Sequence, residues 1–240
     1  MRSRCAVVAG LMLSIGSLVP ATARAHRDDY LDETFVYQTL ERGEFEGELW
    51  AEVREPREGA SRSWYTGAFE WGITSRWTLD GAAQFVEQGS PRFGRLRLET
   101  RYRFAEEGKW PLDLATSAEY EQESDVATGA GTERTLTPRL VVSRDLGKEF
   151  NATVNLDAPI PLDEPDRTSL AYALGMRYPA ETAVRVGFEL KGQPTTHQAT
   201  VFPQVWFALS HQATIKVGAG LGLTDETDRL VLRGVFELEF

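Results

Sequence analysis

Between residues 94 and 104, Arg95, Arg97, Arg101 and Arg103 fall at two-residue intervals, with Glu99 completing the row. Residues two apart in an extended chain point the same way, so this spacing gathers the charges on one face of a strand. The stretch 111–122 carries Asp113, Glu119 and Glu121 in the same rhythm. A tight turn between the two strands brings Arg95 near Glu121, Arg97 near Glu119 and Arg103 near Asp113. Each such cross-strand pair contributes about 0.2–1 kcal/mol. An arginine wall facing carboxylates across water makes a transverse field that sorts small charged solutes. Packed together, the same pairs would fill the space between them and close it. The residue types leave both readings open.

Such rows need strands to carry them, and period-two patterning runs through most of the chain. Leu96, Leu98, Thr100, Tyr102 and Phe104 oppose the arginine row. Phe150, Ala152, Val154, Leu156 and Ala158 alternate with Asn151, Thr153, Asn155 and Asp157. The pattern predicts strands over 45–54, 64–73, 76–87, 94–104, 111–122, 134–144, 149–158, 168–178, 182–191, 198–210, 212–223 and 229–240. Each is about ten residues, the length that crosses a bilayer when tilted. Pro138 and Pro203 fall inside expected strands and predict a bulge or a locally broken ladder. Between the strands, the connections are expected to alternate short and long.

The last strand is the most regular. Leu230, Leu232, Gly234, Phe236, Leu238 and Phe240 share one face; Val231, Arg233, Val235, Glu237 and Glu239 share the other. A strand closing on Phe236, Leu238 and the terminal Phe240 resembles the C-terminal assembly signal of Gram-negative outer-membrane β-barrels. The opposite terminus agrees. Arg2 and Arg4 precede an apolar stretch from Ala6 to Val19, and Ala23-Arg24-Ala25 is a small-x-small cleavage site. Residues 1–25 therefore read as an export signal, with His26 as the mature N-terminus. Loss of its three arginines leaves 23 basic against 36 acidic residues, a balance of −13. So acidic a chain is a poor nucleic-acid binder. Cys5, its one cysteine, lies within the signal, so disulfides are not expected to stabilise the mature chain.

The resemblance implies an all-β fold, an antiparallel up-and-down transmembrane barrel of about twelve strands over residues 45–240. Residues 26–44 are expected to form a periplasmic or plugging segment. It implies a Gram-negative outer-membrane location with the C-terminus in the periplasm. The implied partners are outer-membrane lipid, lipopolysaccharide and the barrel assembly machinery. Alternation alone suits a soluble barrel with an apolar interior equally well. Size decides: about eight strands enclose what side chains can fill, and twelve enclose more. Trp71, Trp77, Phe104, Trp110, Phe150 and Tyr178 near one set of strand ends are the interfacial aromatics a membrane barrel needs. The small inward residues Ala171, Ala173, Gly175, Gly218, Gly220 and Gly222 suggest either open space or relief of crowding.

Signals for reaction chemistry are weak. His26, His197 and His211 are dispersed, and neighbours on a strand, as Ser210 and His211 would be, face opposite ways. The acids Asp163, Glu164, Asp166, Asp225, Glu226 and Asp228 lack calcium-loop spacing. No catalytic residue, metal centre or cofactor is expected. The functional expectation is a passive or weakly selective, porin-like channel for small polar or charged solutes, not an enzyme. Its lumen residues are Arg95, Arg97, Arg101, Arg103, Asp113, Glu119 and Glu121. The first alternative is a closed barrel acting as an anchor or docking protein; the second is a rim-active outer-membrane hydrolase, for which His197 with Asp225 or Asp228 would be the candidate pair.

Overall fold

The computed structural model describes residues 29–240 except 33, 88–89, 125–130, 148 and 180–181. The expected export signal and His26 lie outside the described residues. The strands are β1 (Phe45–Glu55), β2 (Arg62–Thr74), β3 (Trp77–Glu87), β4 (Pro91–Arg103), β5 (Asp113–Ser124), β6 (Thr132–Leu146), β7 (Phe150–Asp157), β8 (Ile160–Pro161), β9 (Ala171–Tyr178), β10 (Val184–Gln193), β11 (Gln198–Ala208), β12 (Ala213–Gly222) and β13 (Leu230–Glu239). β8 is a continuation of β7 rather than a new strand. The N–H of Ala158 donates to the Pro138 carbonyl, and Leu136 then pairs with Ile160 in unchanged register. Pro159 has no N–H to donate, so it interrupts the ladder without ending it.

Twelve long strands therefore pair in sequence as an antiparallel meander, and the sheet closes where β1 meets β13. The Phe45 N–H donates to the Phe240 carbonyl at 3.0 Å, and the Phe240 N–H to the Phe45 carbonyl at 2.9 Å. Closure leaves no edge with unpaired backbone groups, the condition for a sheet to stand in hydrocarbon. Pro203 disturbs one ladder as its sequence predicts. It pairs with Phe188 on one side, while on the other the β11–β12 pairing skips from Val201 to Gln204.

Sidedness follows the alternation. Leu49, Phe69, Leu98, Leu156, Val186, Leu232, Phe236 and Leu238 are exposed on the outer wall, whereas Arg97, Arg101, Arg177, Arg185, Glu189 and Glu237 are buried inside. The six aromatics expected at the boundary, Trp71 to Tyr178, all stand exposed outside, around the end where β1 begins and β13 finishes. Phe45 stacks there on Trp71 at 6.1 Å and on Phe240 at 6.4 Å between ring centroids. We call this the closing end.

The connections are less regular than the sequence suggests. At the closing end they cover 75–76, 104–112, 147–149, 179–183 and 209–212; at the far end, 56–61, 88–90, 125–131, 162–170, 194–197 and 223–229. The β4–β5 turn is longer than expected. The β3–β4 connection is shorter, because β4 starts earlier, at Pro91. Leu98 lies mid-strand on the outer wall. On a wall that meets lipid, Leu98→Arg is expected to cost about 2–4 kcal/mol, read by denaturant titration of the barrel refolded in lipid vesicles. Unchanged stability would overturn the lipid contact.

Candidate functional site

The inward side chains of β4 and β5 form the core of the charged lumen. Arg97, Glu99, Arg101, Arg103 and Asp113 are each no more than 6% exposed. The backbone register differs from the sequence expectation by two residues. Arg97 stands opposite Glu121, Glu99 opposite Glu119 and Arg103 opposite Ala115, because the turn consumes more residues than expected. Long side chains reach diagonal neighbours, so two expected pairs form anyway. Arg95 Nη1 lies 3.0 Å from Glu121, and Arg97 Nε lies 4.0 Å from Glu119. The third pair does not form. Arg103 turns to Glu106 at 3.0 Å and Glu41 at 3.6 Å, while Asp113 faces Arg144 at 3.6 Å and accepts from the Gly108 N–H.

Residues 29–32 and 34–41 run inside the barrel among these groups. Tyr30, Leu31, Phe35, Val36, Tyr37 and Leu40 are all buried. A segment without a sheet partner must satisfy its backbone on side chains, and inward residues of many strands provide for it. Asn155 of β7 acts as a substitute peptide: its Oδ1 accepts from the Phe35 N–H at 2.7 Å, and its Nδ2 donates to the Phe35 carbonyl at 2.9 Å. Glu189 of β10 accepts from the Asp32 N–H at 2.5 Å and the Thr34 N–H at 2.9 Å. Gln204 accepts from the Leu31 N–H, and Arg233 donates to the Leu31 carbonyl. The Tyr30 hydroxyl donates to Asn151 Oδ1 at 2.9 Å.

The arginine row takes part directly. Arg101 grips the Asp29 carboxylate with both terminal nitrogens, at 2.6 and 3.1 Å. Two guanidinium groups pack over the Phe35 ring, Arg101 at 4.1 Å and Arg139 at 4.2 Å from its centroid. Such contacts strengthen when water is excluded, to about 2 kcal/mol each. Asp32 is tied to Arg233 at 3.0 Å and Lys191 at 3.6 Å. Burial favours its neutral form, but the facing Lys191 and Arg233 outweigh this and hold the carboxyl below the ordinary carboxylate range. A depressed folded value means the tie is intact above the unfolded value and is lost as pH falls through the folded one. The Asp32 tie is therefore expected to hold at neutral pH and to be lost in strongly acidic solution, as hydrogen exchange of the neighbouring amides would show.

Two of the four inward glycines make room for this segment, while Gly220 makes room for Phe202 and Gly222 for the backbone at Asp228. A Cβ on Gly175 would lie 2.7 Å from the Tyr30 ring, and one on Gly218 would lie 2.7 Å from Leu31. Gly72 is tighter still, with the Glu41 carbonyl oxygen 2.0 Å from the place its Cβ would take. Two cavities of about 20 Å³ flank the segment, and one of about 240 Å³ lies between Asp32, Tyr172 and Lys191.

Elsewhere, His197 and His211 are exposed, and the Ser210 hydroxyl accepts from the Gln212 and Ala213 amides of its own turn. Of the loop acids, Asp163 pairs with Arg134, Glu164 with Arg167 and Asp225 with Arg57. The sequence reading placed Asn151, Thr153 and Asn155 on one face but gave them no role. A neutral hydrogen-bonding row facing a lumen is itself the signal that backbone, not only ions, must be held there.

No family model and no curated protein matches this sequence. Solved structures do resemble it. A KdgM porin superposes with a TM-score of 0.61 at 10% identity, covering 81% of this chain and 99% of that one. The NanC porin gives 0.56 at 10% identity, covering 80% and 97%. Outer membrane phospholipase A from Escherichia coli gives 0.53 at 10% identity, covering 81% and 92%. At such identities the likeness is one of fold: a closed twelve-strand barrel of the outer-membrane type.

Asn155→Ala removes the acceptor of the Phe35 N–H and one of two donors to its carbonyl, which keeps the Thr153 hydroxyl at 3.1 Å. It is expected to cost about 1–3 kcal/mol for the stranded N–H and to speed hydrogen exchange at the Phe35 amide. Unchanged exchange would show that the segment is held by other contacts.

Proposed function

We propose that the protein is an outer-membrane channel for small polar or charged solutes, held shut by residues 29–41. The observation that carries this reading is the position of the segment, which lies against the arginine row and covers the groups that would select solutes. The porin folds of KdgM and NanC support a channel, and one KdgM structure is of a complex with oligogalacturonate. The mixed signs of this lumen suit small solutes of either charge better than a long polyanion, since Arg95 and Arg97 are matched by Glu121 and Glu119.

In this reading the closing end faces the periplasm. The outer wall meets lipid and lipopolysaccharide, and the assembly machinery reads Phe236, Leu238 and Phe240. The chain performs no reaction of its own. A second reading, a permanently closed anchor, is favoured by how fully the segment's backbone is hydrogen-bonded to the wall.

Planar-bilayer conductance separates the two. The refolded chain is expected to be silent or to open briefly, and a variant lacking residues 29–40 to give discrete steps. In that variant, Arg97→Ala with Arg101→Ala should shift the reversal potential in a salt gradient towards cation preference. Steps whose selectivity ignores both arginines would sink the assigned lumen residues. A silent but inserted deletion variant would sink the channel.

A further inference from the structure

Where the sheet closes, its inward face is crowded with carboxylates. Glu48 of β1 and Glu237 of β13 stand directly opposite each other, and Glu46 stands between Glu239 on one side and Glu70 of β2 on the other. Like charges in opposed positions destabilise a sheet. Lys216 of β12 answers part of this charge, pairing with Glu237 and lying 3.5 Å from Glu48. Lys216 is shared among these carboxylates, and a divalent cation in their midst would offset more of their charge.

The geometry suits such an ion. One carboxylate oxygen from each of Glu46, Glu48 and Glu237 lies within 4.8 Å of the others. Calcium holds its oxygens at about 2.3–2.6 Å, so ligands on opposite sides of the ion are about 5 Å apart. The three oxygens therefore fit one coordination sphere without moving the strands. A second feature points to the same place. The Gln38 side chain is 5% exposed, and neither Oε1 nor Nε2 has a hydrogen-bond partner. It lines the same small cavity as Glu46 and Glu48. A buried amide with both ends unsatisfied is rare in a folded protein, and an amide oxygen is a ligand that hard cations accept.

We propose a divalent-cation site at the junction of β1 and β13, with Glu46, Glu48, Glu237 and the amide oxygen of Gln38 as ligands. The all-oxygen set and the loose spacing select calcium over magnesium, which demands a tighter octahedron. Bound there, the ion joins the first strand, the last strand and the foot of the lumen segment. It acts as a clasp on both barrel closure and segment docking. The site does not depend on the channel reading, since an anchor would bind the ion equally well.

Tryptophan-sensitised terbium luminescence of the refolded chain in detergent tests the proposal. Trp50 donates to Glu48 at 2.8 Å, so its indole is adjacent to an ion on that carboxylate. A saturable signal from one ion per chain is expected, displaced by Ca2+, with affinity at least about tenfold weaker in Glu46→Gln and in Gln38→Ala. Asp225→Asn with Glu226→Gln, in a far-end loop, should leave it unchanged. Gln38 belongs to the lumen segment and not to a strand, so Gln38→Ala keeps the test open should Glu46→Gln fail to fold. Two results would overturn the site. One is no saturable signal from a chain shown folded by heat-modifiable gel migration. The other is a signal that survives Glu46→Gln and Gln38→Ala.

Discussion

A closed sheet of twelve strands encloses more space than its own side chains can fill, and every other feature of this protein answers to that fact. Water could fill the space, or a lipid-like guest, or polypeptide. Here polypeptide does. Residues 29–41 bring Tyr30, Leu31, Phe35 and Val36 into the middle of a charged wall. Those rings and aliphatic groups come with peptide N–H and C=O groups that no neighbouring strand satisfies. Asn155, Glu189, Gln204 and Arg233 satisfy them instead, each from a different strand. The wall is thus shaped to hold one particular extended segment, down to the glycines opposite Tyr30 and Leu31.

Charge in the lumen obeys the same logic. Arginines buried this deeply need partners, because an unpaired charge away from water is very costly. Arg101 uses one edge of its guanidinium for Asp29 and one face for Phe35, so a single side chain joins the wall to the segment by an ion pair and a ring contact. Arg139 also lies over the same ring and reaches Asp157 at 2.8 Å. The arginine row that reads in isolation as a selectivity wall thus holds, in the closed barrel, the segment that lies inside it.

Much of the architecture was legible residue by residue. All twelve strands appear within three residues of their expected limits, because alternation between lipid-facing and lumen-facing positions leaves a two-residue period that nothing else in the chain imitates. The aromatics from Trp71 to Tyr178 were legible for the same reason. Register was less so. Arg95 and Arg97 found Glu121 and Glu119 only diagonally, and Arg103 found Glu41 and Glu106 in place of Asp113. Turn length sets register, and the β4–β5 turn carries no strong punctuation to show where it starts.

By itself, then, the sequence determined that the chain forms strands of bilayer length, which face of each is apolar, that the sheet is large enough to close, and that its interior is charged with both signs. These are properties of near neighbours, read at a spacing of two. Only the tertiary structure decided what occupies the interior. The backbone partners of Phe35 lie on β7, those of Asp32 on β10 and β13, and Glu48 meets Glu237 from the opposite end of the chain. Closure brings residues separated by nearly two hundred positions to within a few ångströms, and no local pattern records which of them will meet.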